Sequence, residues 1–527
     1  MVTIVTIMRV EDLINQNTWW KYGGDFWKYD KNLKEAKGAF TEFQRRKIEL
    51  KRGNIYIIRG IRQSGKTTYM KQMILSLLNS GIEPDIILYI SCDRLASRKE
   101  LRNVINNFIQ TNRDKEPLYI FLDEITYLEE WNLELKTLAD SDFIDKLIVM
   151  ATGSSAVKMK EKAERLPGRR VEGNEYHFKP LTFREFVLQT ILQVAVHVKS
   201  PDFSAALKIL EAKLRNISTS MDEDLNSMMG KIGEIIPFKE ELDYMLDLYL
   251  LTGGFPGVIN EYFGNKYDKK EEGIGNELYE TFMRIVLGDV SKIRRGETIA
   301  RELMRRIVER YGTKYSFTTI GRDLELSHQT AIEYLEILED AFLIEVVHSL
   351  DLAKRRPKLK GNKKIYFSSP FVYYCVESFI SGLDGFFSSK ENLMRKKDKI
   401  VEGVVANHLI QTKEEPYIKE WRTYLWFFYT STGKEMDFVY KKPFFMWGSA
   451  PQPRKPCNGL KESFTKENLV GIEVKYKEEV DKREITRING IAEYIVLTKN
   501  QYERVDSMVF IPVSLFLSVL EKSRRLL

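Results

Sequence analysis

Short apolar runs alternate with segments of helical periodicity between residues 51 and 190. Five of the runs have the composition of buried strands: NIYIIRG, DIILYIS, PLYIFLDE, KLIVMATGS and EYHFKPL. Helix-patterned segments separate most of them, and such alternation is typical of a parallel sheet with crossover helices. The pattern therefore predicts an α/β core over residues 51–190.

Helical patterns dominate on both sides of this core. Residues 1–50 predict an N-terminal helical arm, and residues 191–290 predict a helical lid that the turn-forming LTGGFPG at 251–257 interrupts. The arm holds an aromatic cluster that either packs on the next domain, which we favour, or offers a base-stacking platform. The members of this cluster are Trp19, Trp20, Tyr22, Phe26 and Trp27.

The C-terminal half divides into three further predicted parts. Residues 291–350 predict a winged helix, residues 351–364 a basic linker, and residues 365–527 a second α/β domain. The candidate recognition helix, 327–340, is acidic and has no Lys or Arg, so we favour a hinge or packing role over contact with DNA. Its acidic residues are Glu333, Glu336, Glu339 and Asp340.

Charge is distributed unevenly along the 527 residues, a length that predicts several domains. The 82 Lys and Arg exceed the 75 Asp and Glu by only seven, yet residues 351–400 alone hold twelve basic and five acidic residues. A nucleic-acid partner, DNA in the first place, is expected at segments 353–364 and 395–399. A solvated charged loop is the competing interpretation.

Cysteine spacing and hydropathy bear on whether the protein is disulfide-bonded, zinc-binding or membrane-spanning. The three cysteines, Cys92, Cys375 and Cys457, have no metal-ligand spacing, so neither a disulfide framework nor a zinc site is predicted. No apolar run reaches the roughly 18 residues of a membrane span, and the N-terminus lacks the features of a signal peptide. We expect a cytoplasmic protein.

A phosphate-binding loop follows the first predicted strand. Residues 60–67 satisfy the pattern GxxxxGK[ST] between an apolar strand and a helix. Backbone N–H groups would surround the phosphates of ATP, Lys66 would neutralise the β- and γ-oxygens, and the Thr67 hydroxyl would bind Mg²⁺. The predicted ATP-binding residues are Gly60, Ile61, Arg62, Gln63, Ser64, Gly65, Lys66, Thr67 and Thr68.

Two carboxylates end the next motif-bearing strand. We predict that Asp123 holds the magnesium shell and that Glu124 orients or deprotonates the attacking water. The pair also speaks against a small-molecule kinase, which must exclude a hydrolytic water.

Two weaker candidates follow. The strand KLIVMATGSSA brings Thr152, Ser154 and Ser155 beside Asp123, where a hydroxyl can sense the γ-phosphate. Arg169 in RLPGRR is a candidate arginine finger, and a solvated arginine is the alternative.

The motifs follow one another in an order that resembles a known family. GIRQSGKTT, IFLDEI, ATGSS, LPGRR with KPLTFREF, and TGGFPGVI precede IEYLEILEDAFLIEVV, KKIYF, VEGVVANHL, GKEMDFVY and GIEVKY. Over most of residues 50–500 the chain resembles the archaeal-type AAA+ ATPases with a C-terminal domain of formerly unknown function. The resemblance implies an AAA+ core, a winged helix, a nuclease-like domain, and a homo-oligomer in which Arg169 acts across subunits. Departures are Ser369, where the family usually has an acidic residue, and the insertion 441–467.

A second group of charged residues lies in the C-terminal domain. Strand alternation puts Glu435 beside Asp437 and Glu473 beside Lys475, while Glu402 lies on the helix of VEGVVANHL. The arrangement resembles the PD-(D/E)XK nuclease superfamily. It predicts a metal site of Glu402, Asp437 and Glu473 in which Lys475 positions water. Cross-strand ion pairs are the structural alternative, and a domain that binds without cutting is the functional one.

Two functions from different classes remain. We favour an ATPase that uses ATP and Mg²⁺ to act on nucleic acid, with a nuclease-like module that either cuts or only binds. The alternative is a nucleotide-switched regulatory protein whose C-terminal domain is a non-catalytic interaction module.

Overall fold

The computed structural model describes residues 10–153, 174–291, 296–413, 420–442 and 469–523. Its N-terminal half consists of β1 (Ile55–Gly60), β2 (Ile87–Ser91), β3 (Leu118–Asp123), β4 (Leu147–Gly153) and β5 (Glu175–Phe178), with α1 (Val10–Gln16), α2 (Trp19–Tyr22), α3 (Lys31–Gly38), α4 (Lys66–Asn79), α5 (Arg98–Thr111) and α6 (Trp131–Ala139).

The five strands form one parallel sheet in the order β2-β3-β4-β1-β5. The central strands β3 and β4 are buried along their whole length, which explains why they have continuous apolar runs. The carboxyl ends of β1, β3 and β4 therefore meet at one edge of the sheet.

The N-terminal arm packs against this sheet at its β2 edge. Trp19 and Phe26 are fully buried, and both Trp19 and Trp20 donate their indole N–H to the carbonyl of Ile87. The Asn17 side chain accepts from the N–H of Tyr89 at 2.7 Å and donates to its carbonyl at 2.9 Å. These contacts favour the packing role of the aromatic cluster, because its central rings are covered.

A second body begins after β5 and is mainly helical at first. Its helices are α7 (Phe183–His197), α8 (Pro201–Asn216), α9 (Leu225–Gly233), α10 (Lys239–Thr252), α11 (Pro256–Phe263), α12 (Asn276–Ser291), α13 (Glu297–Glu309), α14 (Phe317–Asp323), α15 (His328–Asp340), α16 (Pro370–Ser381), α17 (Gly385–Arg395), α18 (Lys397–Ile410) and α19 (Val513–Val519). One hydrophobic core runs through these helices and into the C-terminal sheet.

The strands of the second body form three sheets. They are β6 (Ile344–His348), β7 (Leu350–Asp351), β8 (Arg356–Pro357), β9 (Lys363–Phe367), β10 (Leu425–Tyr429), β11 (Glu435–Lys441), β12 (Leu469–Val474), β13 (Glu493–Thr498), β14 (Glu503–Val505) and β15 (Met508–Pro512). A mixed six-stranded sheet has the order β10-β11-β12-β13-β15-β14, and β6 pairs with β9 in antiparallel fashion. The β7–β8 hairpin spans residues 350–357 and so occupies the first half of the predicted basic linker.

The candidate recognition helix α15 is packed at its C-terminal end. Glu339 is 4% exposed and accepts from Arg422 at 2.6 Å, and Asp340 is also buried. This end of α15 therefore contacts the C-terminal domain, which agrees with the packing role that we favoured.

The LTGGFPG turn joins the helical segment to the C-terminal domain. Gly253 has φ +65°, and a Cβ there would meet the Ser369 hydroxyl at 2.3 Å. The Ser369 hydroxyl donates to the Gly253 carbonyl at 2.5 Å and accepts from the N–H of Phe371 at 3.1 Å. A hydroxyl can do both, whereas an ionised carboxylate could only accept, so serine suits this contact.

Among the helices of the described ranges, none has the length and apolar character needed to cross a membrane.

We predict that Asn17→Ala loosens the arm, because it leaves two buried backbone groups of Tyr89 without partners. The free energy of unfolding should fall by about 1–3 kcal/mol, measured by urea denaturation. Asn106→Ala, on the exposed face of α5, is the matched control and should change stability by less than about 0.5 kcal/mol. Equal effects of the two substitutions would contradict an arm that is clamped to the sheet.

Candidate functional site

The phosphate-binding loop connects β1 to α4 at the carboxyl edge of the sheet. Gly65 has φ +86°, a left-handed conformation that favours glycine, and α4 begins at Lys66. Gly60 approaches the backbone of β5 so closely that a Cβ there would lie 2.2 Å from the Phe178 carbonyl oxygen. Both glycines are therefore required by the backbone path of the loop.

Polar groups of the loop point inward. Lys66 is buried, and its ammonium donates to the carbonyls of Gly60 at 2.9 Å and Ile61 at 3.0 Å. The Ser64 hydroxyl is buried and has no hydrogen-bond partner within the described residues. An ammonium that is held by its own loop, beside an unsatisfied hydroxyl, is suited to exchange these contacts for phosphate oxygens.

Asp123 lies next to this loop at the end of β3. Its carboxylate is 3% exposed and accepts hydrogen bonds from Thr67 at 2.8 Å, from Tyr89 at 2.8 Å and from Thr152. All three donors are neutral hydroxyls. These hydrogen bonds therefore leave the negative charge of the carboxylate in place, close to the helix N-terminus.

Glu124 follows directly in the left-handed region, with φ 51°. Its N–H donates to the Thr152 hydroxyl at 3.1 Å, so Thr152 bridges Asp123 and the backbone of Glu124. Non-glycine residues adopt this conformation rarely, and such positions concentrate at functional sites. The structure thus brings Lys66, Thr67, Asp123 and Glu124 to one edge of the sheet, as predicted.

The residues present fit magnesium and a nucleotide. A hydroxyl and a carboxylate oxygen, from Thr67 and Asp123, are the hard oxygen donors that Mg²⁺ prefers. Their 2.8 Å contact shows that both can reach a common point. The orphaned Ser64 hydroxyl and the narrow backbone around Gly60 complete a cradle of phosphate-binding type.

Tyr89 ties Asp123 to the N-terminal arm, a connection that the sequence patterns missed. The Lys71 ammonium on α4 lies 3.6 Å from the centre of the Tyr89 ring and 3.3 Å from Asp30 of the arm. Burial, and after it the negative charge of Asp123, raise the pKa of Tyr89 well above its ordinary value, so this hydroxyl stays a donor. The tyrosine in the middle of the apolar strand β2 is the signal in the sequence for this contact.

The carboxylates of the C-terminal domain converge on a lysine. The ammonium of Lys364, from β9, lies 2.9 Å from Glu402, 2.7 Å from Glu435 and 2.9 Å from Asp437. The Lys364 side chain is 1% exposed. The sequence pattern assigns Lys364 to a basic surface linker, and this prediction is wrong for the lysine itself, because β9 turns it toward the carboxylates.

The remaining charges of this group are also paired. Lys475 lies 2.6 Å from Glu473, and the N–H of Asp437 donates to Glu473 at 3.3 Å. Lys475, predicted to position water, lies in contact with the Glu473 carboxylate.

Burial and mutual contact shift the pKa values of the group. Burial opposes ionisation of Lys364, but the carboxylates outweigh it, Asp437 most of all, and its pKa is well above the ordinary value. The same ion pair overcomes the effect of burial on Asp437 and lowers its pKa. Burial, and then the charge of Asp437, raise the pKa of Glu473 to about 7.

The predicted metal site does not fit this geometry. Within the ranges that the structure describes, no group of three or more His, Cys, Asp or Glu side chains could hold a metal ion. Glu402 and Asp437 do come together, but around Lys364, and Glu473 is turned toward Lys475. The prediction of a metal ion at Glu402, Asp437 and Glu473 overlooked the lysine of the preceding strand.

The remaining predicted residues are Arg169, Ser154, Ser155 and the basic segment 395–399. Arg169, Ser154 and Ser155 lie outside the described residues. In segment 395–399, ion pairs join Lys397 to Asp247 and Lys399 to Glu402, and an ion pair joins Arg395 to Glu391.

Segment 353–364 keeps most of its charges at the surface. Four basic residues are exposed and form no ion pair with any described residue: Lys354, Arg356, Lys358 and Lys360. Lys363 is buried and donates to the carbonyls of Leu359 and Gly361, and burial lowers its pKa to about 8.

Comparisons with known proteins agree with this site. Residues 52–187 match a family described as an AAA domain, and residues 244–382 match a domain of unknown function, DUF8612. With the parallel sheet and the loop geometry, the first match defines residues 52–187 as an AAA-type P-loop ATPase domain.

The curated relatives carry no functional description. Uncharacterized protein MJ1637 of Methanocaldococcus jannaschii is 26% identical over 61% of this chain and 62% of its own length. An uncharacterized protein of Haemophilus influenzae is 24% identical over 59% of this chain and 66% of its own length. The chain thus spans less than two thirds of each.

Solved structures similar to this chain include the Thermotoga maritima RuvB Holliday junction branch migration motor and a point mutant of the same motor. The motor is 14% identical to this chain, and the match covers 59% of this chain and 83% of the motor's chain. Its TM-score is 0.25. The mutant gives a TM-score of 0.24 with the same coverage. Scores this low do not establish a common architecture over that length.

We predict that Tyr89→Phe raises the Mg²⁺ concentration needed for half-maximal ATP turnover by roughly tenfold, because Asp123 loses a group that orients it. Steady-state ATPase assays across a Mg²⁺ titration measure the effect. Tyr119→Phe, on the adjacent strand β3, is the matched control, since no hydrogen bond involves its hydroxyl among the described residues. An unchanged Mg²⁺ requirement in a stably folded Tyr89→Phe protein would refute the positioning role.

Proposed function

We propose that the protein hydrolyses ATP and uses the cycle to act on nucleic acid. The observation that carries the ATPase part is the contact of Thr67 and Asp123 beside the phosphate-binding loop, with Glu124 next in sequence. The nucleic-acid part is supported by the exposed cationic segment of residues 354–360.

Each residue of the site has a defined task in this proposal. Lys66 leaves the carbonyls of its loop and neutralises the β- and γ-phosphates, while backbone N–H groups of the loop hold the phosphate chain. Glu124 orients the attacking water, and Thr152 keeps Asp123 and the Glu124 backbone in register. Mg²⁺, held by Thr67 and Asp123, would supply neutralisation of the charge that develops on the phosphate oxygens.

A route exists from the phosphate-binding loop to the second body. The Arg45 guanidinium donates to the carbonyls of Ser64 at 3.3 Å and Lys179 at 2.9 Å. The Lys179 ammonium lies 3.0 Å from Glu345, on strand β6. A change at the loop on nucleotide binding would therefore reach β6 through three successive polar contacts.

The remaining roles belong to the proposal as well. Assembly as a homo-oligomer would allow Arg169 to serve as an arginine finger for a neighbouring subunit. The exposed lysines and arginine of residues 354–360 would contact phosphates without sequence preference.

Two observations favour the second candidate, a nucleotide-switched regulatory ATPase. The carboxylates of the C-terminal domain are closed around Lys364, and the acidic end of α15 is packed against Arg422. Both features suit an interaction module. ATPase rates with and without DNA discriminate the two functions, because a switch should hydrolyse slowly whatever nucleic acid is present.

We predict that Lys66→Ala abolishes nucleotide binding, whereas Glu124→Gln binds ATP but loses turnover by roughly 100-fold or more. Fluorescent nucleotide binding and phosphate release measure the two steps separately. Glu129→Gln, an exposed residue near the same strand end, is the control and should keep both. Full turnover by the Glu124→Gln protein would remove Glu124 from the reaction.

We predict that replacing Lys354, Arg356, Lys358 and Lys360 by Ala weakens binding to duplex DNA and flattens its dependence on salt. Each lost phosphate contact should reduce the slope of log affinity against log salt by about 0.9. Fluorescence anisotropy at several salt concentrations measures both quantities. A control with Lys21, Lys31, Lys34 and Lys47 replaced removes the same charge from the N-terminal arm region, and equal losses in both variants would indicate a mere effect of net charge.

A further inference from the structure

Lys364 occupies the centre of the carboxylate group in the C-terminal domain. Its ammonium contacts carboxylate oxygens from two elements, Glu402 on α18 and both Glu435 and Asp437 on β11. The Tyr366 hydroxyl, two residues along β9, donates to the same Glu402 oxygen at 2.6 Å. A single buried ammonium thus contacts three carboxylates. It lies at the point where those carboxylates would otherwise converge on a metal ion.

The charges of the group balance. The four carboxylates are Glu402, Glu435, Asp437 and Glu473, and the ammonium groups of described residues within salt-bridge distance of them are also four: Lys314, Lys364, Lys399 and Lys475. Carboxylates that lose water need compensation, and here the polypeptide provides it. When all four carboxylates are ionised, these eight groups carry no net charge.

A backbone hydrogen bond also holds the Asp437 side chain in this position. Its second carboxylate oxygen accepts from the N–H of Val474 at 3.0 Å, while the first contacts Lys364. Both oxygens of Asp437 are therefore engaged by protein donors. A metal ion bound by Glu402 and Asp437 would have to displace the Lys364 ammonium from both of them.

We propose that Lys364 is an internal replacement for a metal ion, so that the C-terminal domain holds its carboxylates together without metal and does not cleave nucleic acid. The lysine links β9, which pairs with β6, to α18 and β11. These ion pairs thus connect the C-terminal domain to the segment that precedes it. This inference is independent of the proposed function, because it holds whether or not nucleic acid is the partner.

The test uses the full-length chain with Asp123→Asn, so that the nucleotide site contributes little to metal binding. Mn²⁺ is the probe, followed by electron paramagnetic resonance and by the melting temperature without nucleotide. The parent should show neither bound Mn²⁺ at the C-terminal domain nor a Mn²⁺-dependent rise in melting temperature. Lys364→Met keeps the volume but removes the charge, and it should melt lower and gain Mn²⁺ binding at least about tenfold tighter than the parent.

Two control variants isolate the charge at the centre of the group. Lys364→Arg keeps a cation there and should gain no Mn²⁺ binding. Lys399→Met removes a half-exposed partner of the same Glu402, at 3.2 Å, and should also behave as the parent. A gain of Mn²⁺ binding confined to Lys364→Met supports the proposal.

Three results would overturn it. The first is Mn²⁺ binding by the parent that Asp437→Asn abolishes, a result that stands even when Lys364→Met does not fold. The second is a folded Lys364→Met protein with no gain in Mn²⁺ binding. The third is Mn²⁺-dependent cleavage of plasmid or single-stranded DNA by the parent that Asp437→Asn removes.

Discussion

Compensation of buried carboxylates is the constraint on which both charged sites of this chain depend. A carboxylate that loses water must gain hydrogen bonds or opposite charge. Asp123 gains hydrogen bonds from three hydroxyls, which leave its charge in place. Asp437 gains an ammonium, which cancels it. The uncancelled charge of Asp123 suits it to bind a cation, whereas the charge of Asp437 is already matched by the Lys364 ammonium.

The parallel α/β core and the position of the phosphate-binding loop within it could be predicted from the sequence because their signals are local. Strand, loop and helix are contiguous around Lys66, and β3 ends in Asp123. In a parallel sheet the carboxyl ends of neighbouring strands meet at one edge, so Thr152 had to lie near Asp123 once the strands were recognised. The hydrophobic pattern and the motif spacing were therefore enough.

The contacts that sequence patterns did not predict are non-local. Lys364 was assigned to a basic surface segment because six other Lys and Arg lie within the ten residues before it. Only the pairing of β9 with β6 shows that this lysine faces inward, toward carboxylates 38 and 73 residues away. The link from Asp123 through Tyr89 to the arm depends in the same way on the position of Lys71 in three dimensions.

These non-local contacts differ between the two edges of the sheet in the ATPase domain. On the β2 side, the arm is held by hydrogen bonds between the Asn17 side chain and the Tyr89 backbone and by the buried ring of Trp19, contacts that do not involve the loop itself. On the β5 side, Arg45 donates directly to a carbonyl of the phosphate-binding loop, and Lys179 carries the contact to β6. The phosphate-binding loop therefore contacts the neighbouring structure directly on the β5 side, through Arg45.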